Sequence, residues 1–229
     1  DAGGIVPETF RVVRSLIERL EDAATGQVRV DALHVDIPED RAAQAQLVAE
    51  VLGDDVHECF PFTAGTEPMG ADLAELVLNR TWRPALAVTG ADGLPSIPQA
   101  GNVLRPRTSV KISLRIPPTC DPEGAVAAVK ETLEAEPPHG AKVSFGNTGC
   151  AGGWNAPDLA DWLAEAVDES SKTFFDQGAV LMGEGGTIPF MGLLGEKFPR
   201  AQFVITGVLG PASNAHGPNE FLHIPMGKK

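Results

Sequence analysis

Cysteine is scarce in this sequence, and what there is does not pair. Cys59, Cys120 and Cys150 are odd in number and widely spaced. That argues against a disulfide framework and fits a reducing, cytoplasmic compartment. No CxxC pair occurs, which disfavours a cysteine-built zinc site. Basic residues are outnumbered, 18 against 31 acidic, for a formal charge of −13. A field of that sign repels phosphate backbones and anionic lipid headgroups, so neither nucleic acid nor a membrane is an expected partner. No apolar run approaches the roughly 20 residues of a membrane helix. The nucleophile elbow GxSxG, the HExxH zinc motif and the Walker phosphate loop are all missing, which disfavours an unrelated α/β hydrolase.

What remains is the composition of a soluble globular protein, 43% hydrophobic and 21% charged. Its 229 residues suffice for one large domain or two ordinary ones. The chain opens on Asp1 without an initiator Met or signal-peptide pattern and closes on "HIPMGKK". The expectation is an excerpt of a longer protein.

The spacing of Phe10, Val13, Leu16, Ile17 and Leu20 after Pro7-Glu8 predicts a first helix. Residues 40–53 predict a second, closed by Gly53, and "GADLAELVLNRTW" a third. "PALAVTGADG" predicts a strand ended by Gly90. "TSVKISLRIPP" alternates strictly, with Val110, Ile112, Leu114 and Ile116 on one face and Ser109, Lys111, Ser113 and Arg115 on the other. Asp121 is placed to cap a helix that buries Ala125, Val126, Val129 and Leu133, and "AKVSF" predicts a further strand. This block reads as an α+β layer, helices on one face of a small, mainly antiparallel sheet. The glycine-dense "GNTGCAGGWNAP" then marks a boundary, giving domains at 1–152 and 153–229. Beyond it, a helix with Pro157 in its first turn, a buried strand "GAVLMGEGG", a helix "PFMGLLGEKF" and a buried strand "AQFVITG" follow the grammar of an α/β sheet. Two strands are too few for such a sheet, so the second domain is expected to be incomplete.

Three loops carry the chemistry. Gly185, Gly186 and Thr187 open a helix, where free backbone N–H groups can hold an anion; on spacing alone a tight glycine turn is the plainer reading. His216 lies in a loop beyond a strand end, with Glu220 four residues on as a partner that orients the loop. A merely hydrogen-bonded loop histidine is the plainer alternative. Arg115 can grip a carboxylate through two parallel hydrogen bonds, or belong to a solvated sheet face. "DDVHECF" concentrates metal-ligand types without ligand spacing and reads as a surface loop.

Taken in order, "DAGGIVPE", "GNVLRPRTSVKISLRIPP", "GEGGTIPF" and "SNAHGPNEF" resemble the co-catalytic zinc peptidases of family M20. These include carnosinase-like dipeptidases, acetylornithine deacetylase and succinyl-diaminopimelate desuccinylase. The resemblance implies α/β architecture overall, with an α+β lid (1–152) that also dimerises and the C-terminal part of a catalytic domain (153–229). It implies two zinc ions, or manganese or cobalt, in the full-length protein, with none necessarily bound here. His216 matches the family's second-half metal ligand; the general base and the other ligands would lie upstream. Arg115 matches the lid arginine that grips the substrate's terminal carboxylate, and Asn102 a lid position that reaches the active site. Gly185, Gly186 and Thr187 match the loop that binds the same carboxylate, with Gly186 standing where close relatives have Ser. The implied substrate is a small peptide or N-acyl amino acid, cleaved by a metal-activated water, with this chain by itself inactive. A non-catalytic dimerisation or ligand-binding module is the rival reading.

Overall fold

In a computed structural model, residues 2–146, 148–185, 189–207, 209–210 and 212–229 are described. Helix α1 (Thr9–Leu20) starts because the Glu8 carboxylate accepts from the backbone N–H groups of Phe10 and Arg11. It buries Val12, Leu16 and Leu20, whereas Phe10 is 40% exposed. The buried stripe therefore runs through Val12 rather than Phe10 and Val13. α2 (Glu39–Leu52) follows Pro38 and stops at Gly53, whose φ of 54° is readily accepted by a residue without Cβ. A short α3 (Asp55–Glu58) turns the chain toward α4 (Leu73–Thr81), capped by Asp72 accepting from Glu75 N.

β1 (Ala85–Asp92) and β2 (Ser109–Arg115) pair antiparallel, Ala85 opposite Arg115 and Asp92 opposite Ser109. β1 continues two residues past Gly90, through an irregularity between Val88 and Gly90 that leaves Thr89 out of the register. The alternation of β2 is kept: Val110, Ile112 and Leu114 are half-buried and the intervening residues exposed. Helix α5 (Pro122–Glu134) covers the apolar face, started by the Asp121 carboxylate accepting from Glu123 N and Gly124 N.

Two clusters of buried side chains form the core. In the first, Val12, Leu16 and Leu20 of α1 meet Val28, Val30, Leu33, Cys120, Ala125 and Leu133, with Leu86, Ile112, Leu114 and Val129 packed on them. Burial and the neighbouring Asp121 push the Cys120 thiol pKa up. In the second, Ala45 and Val48 of α2 meet Val77 and Leu78 of α4 and Trp82, joined by Val180 from the far end of the chain.

From residue 141 onward the architecture departs from the sequence reading. α6 spans Asp161–Phe175, so Pro157 lies ahead of the helix, and Ala160 is its cap. α7 (Pro189–Lys197) and a short α8 (Ile224–Gly227) follow. The segments expected as strands at "AKVSF", "GAVLMGEGG" and "AQFVITG" form no ladder among the described residues. Leu181, Val204 and Ile205 are 48%, 56% and 56% exposed, so the last two are not buried strands here. A strand requires a hydrogen-bonded neighbour, and the described residues provide none. The architecture is that of α/β material with eight helices and one two-stranded antiparallel sheet among the described residues.

Candidate carboxylate-binding site at the end of the sheet

The topology brings three distant pieces of chain to one place. α4 ends at Thr81, and β1 starts at Ala85, directly across from Arg115. The last turn of α4 and the Arg115 end of β2 are thus neighbours. Into this corner runs the segment 183–185. The Arg115 guanidinium (Nη1) donates to the carbonyl of Gly185, a residue 70 positions away. Arg80 pairs with Glu184 at 2.9 Å and lies over the Phe60 ring, 5.5 Å from its centroid. A Cβ on Gly185 would stand 2.6 Å from the Arg80 carbonyl oxygen, and one on Gly183 would stand 3.1 Å from the Thr81 methyl. Only glycine permits so close an approach to the helix end at residue 185. Gly186 and Thr187 lie outside the described residues.

The His216 loop is built by its own hydrogen bonds. Ser213 is buried, its hydroxyl donates to the Gly210 carbonyl, and its own carbonyl accepts from Phe221 N at 3.2 Å. Asn214 donates from Nδ2 to the Pro218 carbonyl at 2.6 Å. His216 has φ of 61°, the left-handed region, as have Asn214 and Asn219 at 55° and 60°. Its backbone N–H is held by the Glu220 carboxylate at 2.9 Å, which leaves the imidazole exposed. Glu220 thus fixes the backbone on which the ring is mounted and does not itself bind the ring.

Among the described residues, no hydrogen bond or ion pair links the His216 loop to Arg115 or Gly185. Asn102 is exposed in the β1–β2 connection and joins neither group. No cluster of three or more His, Cys, Asp or Glu suited to a metal occurs among the described residues. A zinc site requires three or four ligands. His216 offers one such donor, and no cluster among the described residues supplies two more beside it. In "DDVHECF" His57 sits 3.9 Å from Asp54 and edge-on to Phe62. A separate cavity of about 470 Å³ opens between the start of α2 and residues 154–158 and 195–203. There Arg41 donates to the Ala156 carbonyl at 2.8 Å, and Trp154 meets Phe203 edge to face.

Sequence reasoning missed Arg80 and Glu184. They are 104 positions apart, and neither carries a local signal beyond a basic residue in a last helical turn and an acid among glycines.

No family model matches the chain. Over 142 residues it is 33% identical to a cysteinylglycine-S-conjugate dipeptidase of Corynebacterium striatum, covering 60% of this chain and 30% of that protein. In fold it is similar to human carnosine dipeptidase 1, with a TM-score of 0.71 at 19% identity over 98% of this chain and 48% of the other. The dipeptidase Dug1p of Saccharomyces cerevisiae gives 0.69 at 18% identity, covering 98% and 47%. The metallo-carboxypeptidase Sso-CP2 of Sulfolobus solfataricus gives 0.66 at 20%, covering 98% and 50%. The chain spans about half the length of these solved relatives and less than a third of the curated one. In sequence the chain is similar to a dipeptidase, and in fold to two dipeptidases and an M20 family metallo-carboxypeptidase.

Proposed function

We propose that this chain belongs to a metal-dependent dipeptidase or amidohydrolase and supplies the part that holds the substrate's carboxylate end. The observation that carries the reading is the meeting of Arg115 with Gly185 across 70 positions. An arginine at the end of a strand, facing a glycine segment just ahead of α7, suits a terminal carboxylate: the guanidinium gives two parallel donors. The substrate carboxylate would take the place of the Gly185 carbonyl on Arg115. Holding the far end of a small peptide there positions its amide for attack. The dipeptidase and carboxypeptidase relatives favour a small peptide over an N-acyl amino acid as the substrate.

His216, on a loop fixed by Glu220, would be one ligand of a site completed by residues outside the described set. Two zinc ions, when bound there, would activate water and polarise the amide carbonyl. Lid and catalytic parts would divide near residue 152, with pairing through the lid, whose two-stranded sheet leaves both outer edges without a strand among the described residues. The three free cysteines are consistent with work in the cytoplasm, and no described helix is long and apolar enough to cross a membrane.

The test is dipeptide hydrolysis by the longest protein containing this chain, beside the chain itself and an Arg115→Lys variant. The longer protein is expected to be active with added zinc and the chain inactive. Arg115→Lys should lower kcat/KM by about 10- to 100-fold, the scale of one charge-assisted hydrogen bond. No hydrolysis by the longer protein under any metal would favour a dimerisation or ligand-binding module.

A further inference from the structure

Arg115 is not held in place only by its strand. The Gly185 carbonyl that faces it belongs to a segment docked on α4, and among the described residues one ion pair spans that junction: Arg80 in the last turn of α4 and Glu184, at 2.9 Å. Just upstream, Val180 packs on the cluster that Val77 and Leu78 of α4 help to build, and at the junction itself the other contacts are close approaches by glycine. Gly185 faces the Arg80 carbonyl and Gly183 faces Thr81, and neither approach attracts; each only permits the segment to come near. Arg80 is itself steadied by the Phe60 ring beneath its guanidinium.

We propose that Arg80 and Glu184 are a positioning pair that docks the Gly183–Gly185 segment on the end of α4 and so sets how firmly the Gly185 carbonyl occupies Arg115. Neither residue touches the carboxylate. They govern the competitor that a carboxylate must displace and the distance between the arginine and the glycine segment. With the pair intact, Arg115 is pre-shaped but occupied. With the pair broken, Val180 still anchors the segment upstream, but its end at Gly185 is held less firmly and Arg115 is uncovered more of the time. The bearing of this on substrate rests on the reading of Arg115 as the carboxylate holder.

Reaction of arginine side chains with phenylglyoxal, followed site by site by mass spectrometry on the intact chain, tests the pair without any enzymatic assay. Arg80→Met keeps the stem over Phe60 and the helix propensity but removes the charge. Glu184→Gln removes the other partner, and Arg80→Lys restores the charge. Labelling at Arg115 is expected to quicken by about two- to fivefold in Arg80→Met and Glu184→Gln, the range one exposed ion pair commands. Arg29 and Arg41 should keep their wild-type rates, and Arg80→Lys should fall back toward the wild-type rate at Arg115. An unchanged Arg115 rate in both variants would overturn the proposal. So would equal acceleration at all three arginines with a lower Tm, because the pair would then merely support the fold. Failure of the hydrolysis test above leaves this labelling result standing, so the two readings fail separately.

Discussion

Asp22 shows how one side chain can organise a turn. Its carboxylate pairs with the Arg29 guanidinium and accepts from Thr25 N and Ala24 N, both at 3.0 Å. Arg29 first, then the two backbone donors, hold its carboxyl down to about 2, against an ordinary 3.8. Because the folded value is depressed, the stabilisation is fully present above the ordinary value and fades as pH falls through the folded one. Between about pH 4 and pH 2 the wild-type Tm should fall more steeply than that of Asp22→Asn, which cannot titrate there. Parallel melting curves against pH check this; equal slopes would remove Asp22 from the acid response. Asp168 is lowered in the same sense by its bond to Lys172, and it also accepts from Ala179 N at 3.1 Å, tying α6 to the chain beyond it.

At the scale of elements, α1 and α5 are joined by more than apolar packing. Arg19, in the last turn of α1, donates to the carbonyls of Thr132 at 3.2 Å and Glu136 at 2.9 Å, and to that of Ala135. These are carbonyls at the C-terminal end of α5, short of intrahelical partners and bearing the negative end of the helix dipole. Arg19→Met keeps the apolar stem but strands those acceptors, and should cost about 1–2 kcal/mol in urea unfolding. A loss within error of zero would mean that water replaces the guanidinium fully. The cap at Asp121 is legible in sequence because a carboxylate needs only local N–H partners, and the structure adds caps of the same kind at Glu8 and Asp72. The Arg19 cap is not, since its partners lie more than a hundred positions away.

Across the whole molecule, burial is uneven. The buried members of both core clusters come from residues 12–133, and α6, α7 and α8 bury no residue among those described. Trp162, Phe190, Leu193, Val204 and Ile205 are all more than half exposed. Local opening is easiest where few apolar contacts are lost. Limited proteolysis should therefore cut first between residues 176 and 210 and leave a resistant fragment carrying α1 through α5. Mass spectrometry of the early products checks the order. First cuts inside α1 or α5 would contradict it.

The sequence by itself determined the Asp121 cap, the closure of α2 at Gly53, and the faces of β2, because each rests on contacts a few residues apart or on strict alternation. It also carried the order of stretches that resembles the M20 peptidases, to whose solved members the fold is similar. It misread residues 141–145, 178–185 and 201–207, because an apolar run states only that burial is favourable and not that a neighbouring strand is at hand. Only the tertiary structure decided that Val12 rather than Val13 is buried and that Arg115 and Gly185 meet. Arg80 and Glu184 belong to the same class. Their pairing depends on β1 returning beside α4 and on glycine at 183 and 185 admitting a close approach, and no pattern along the chain encodes a distance between residues 104 apart.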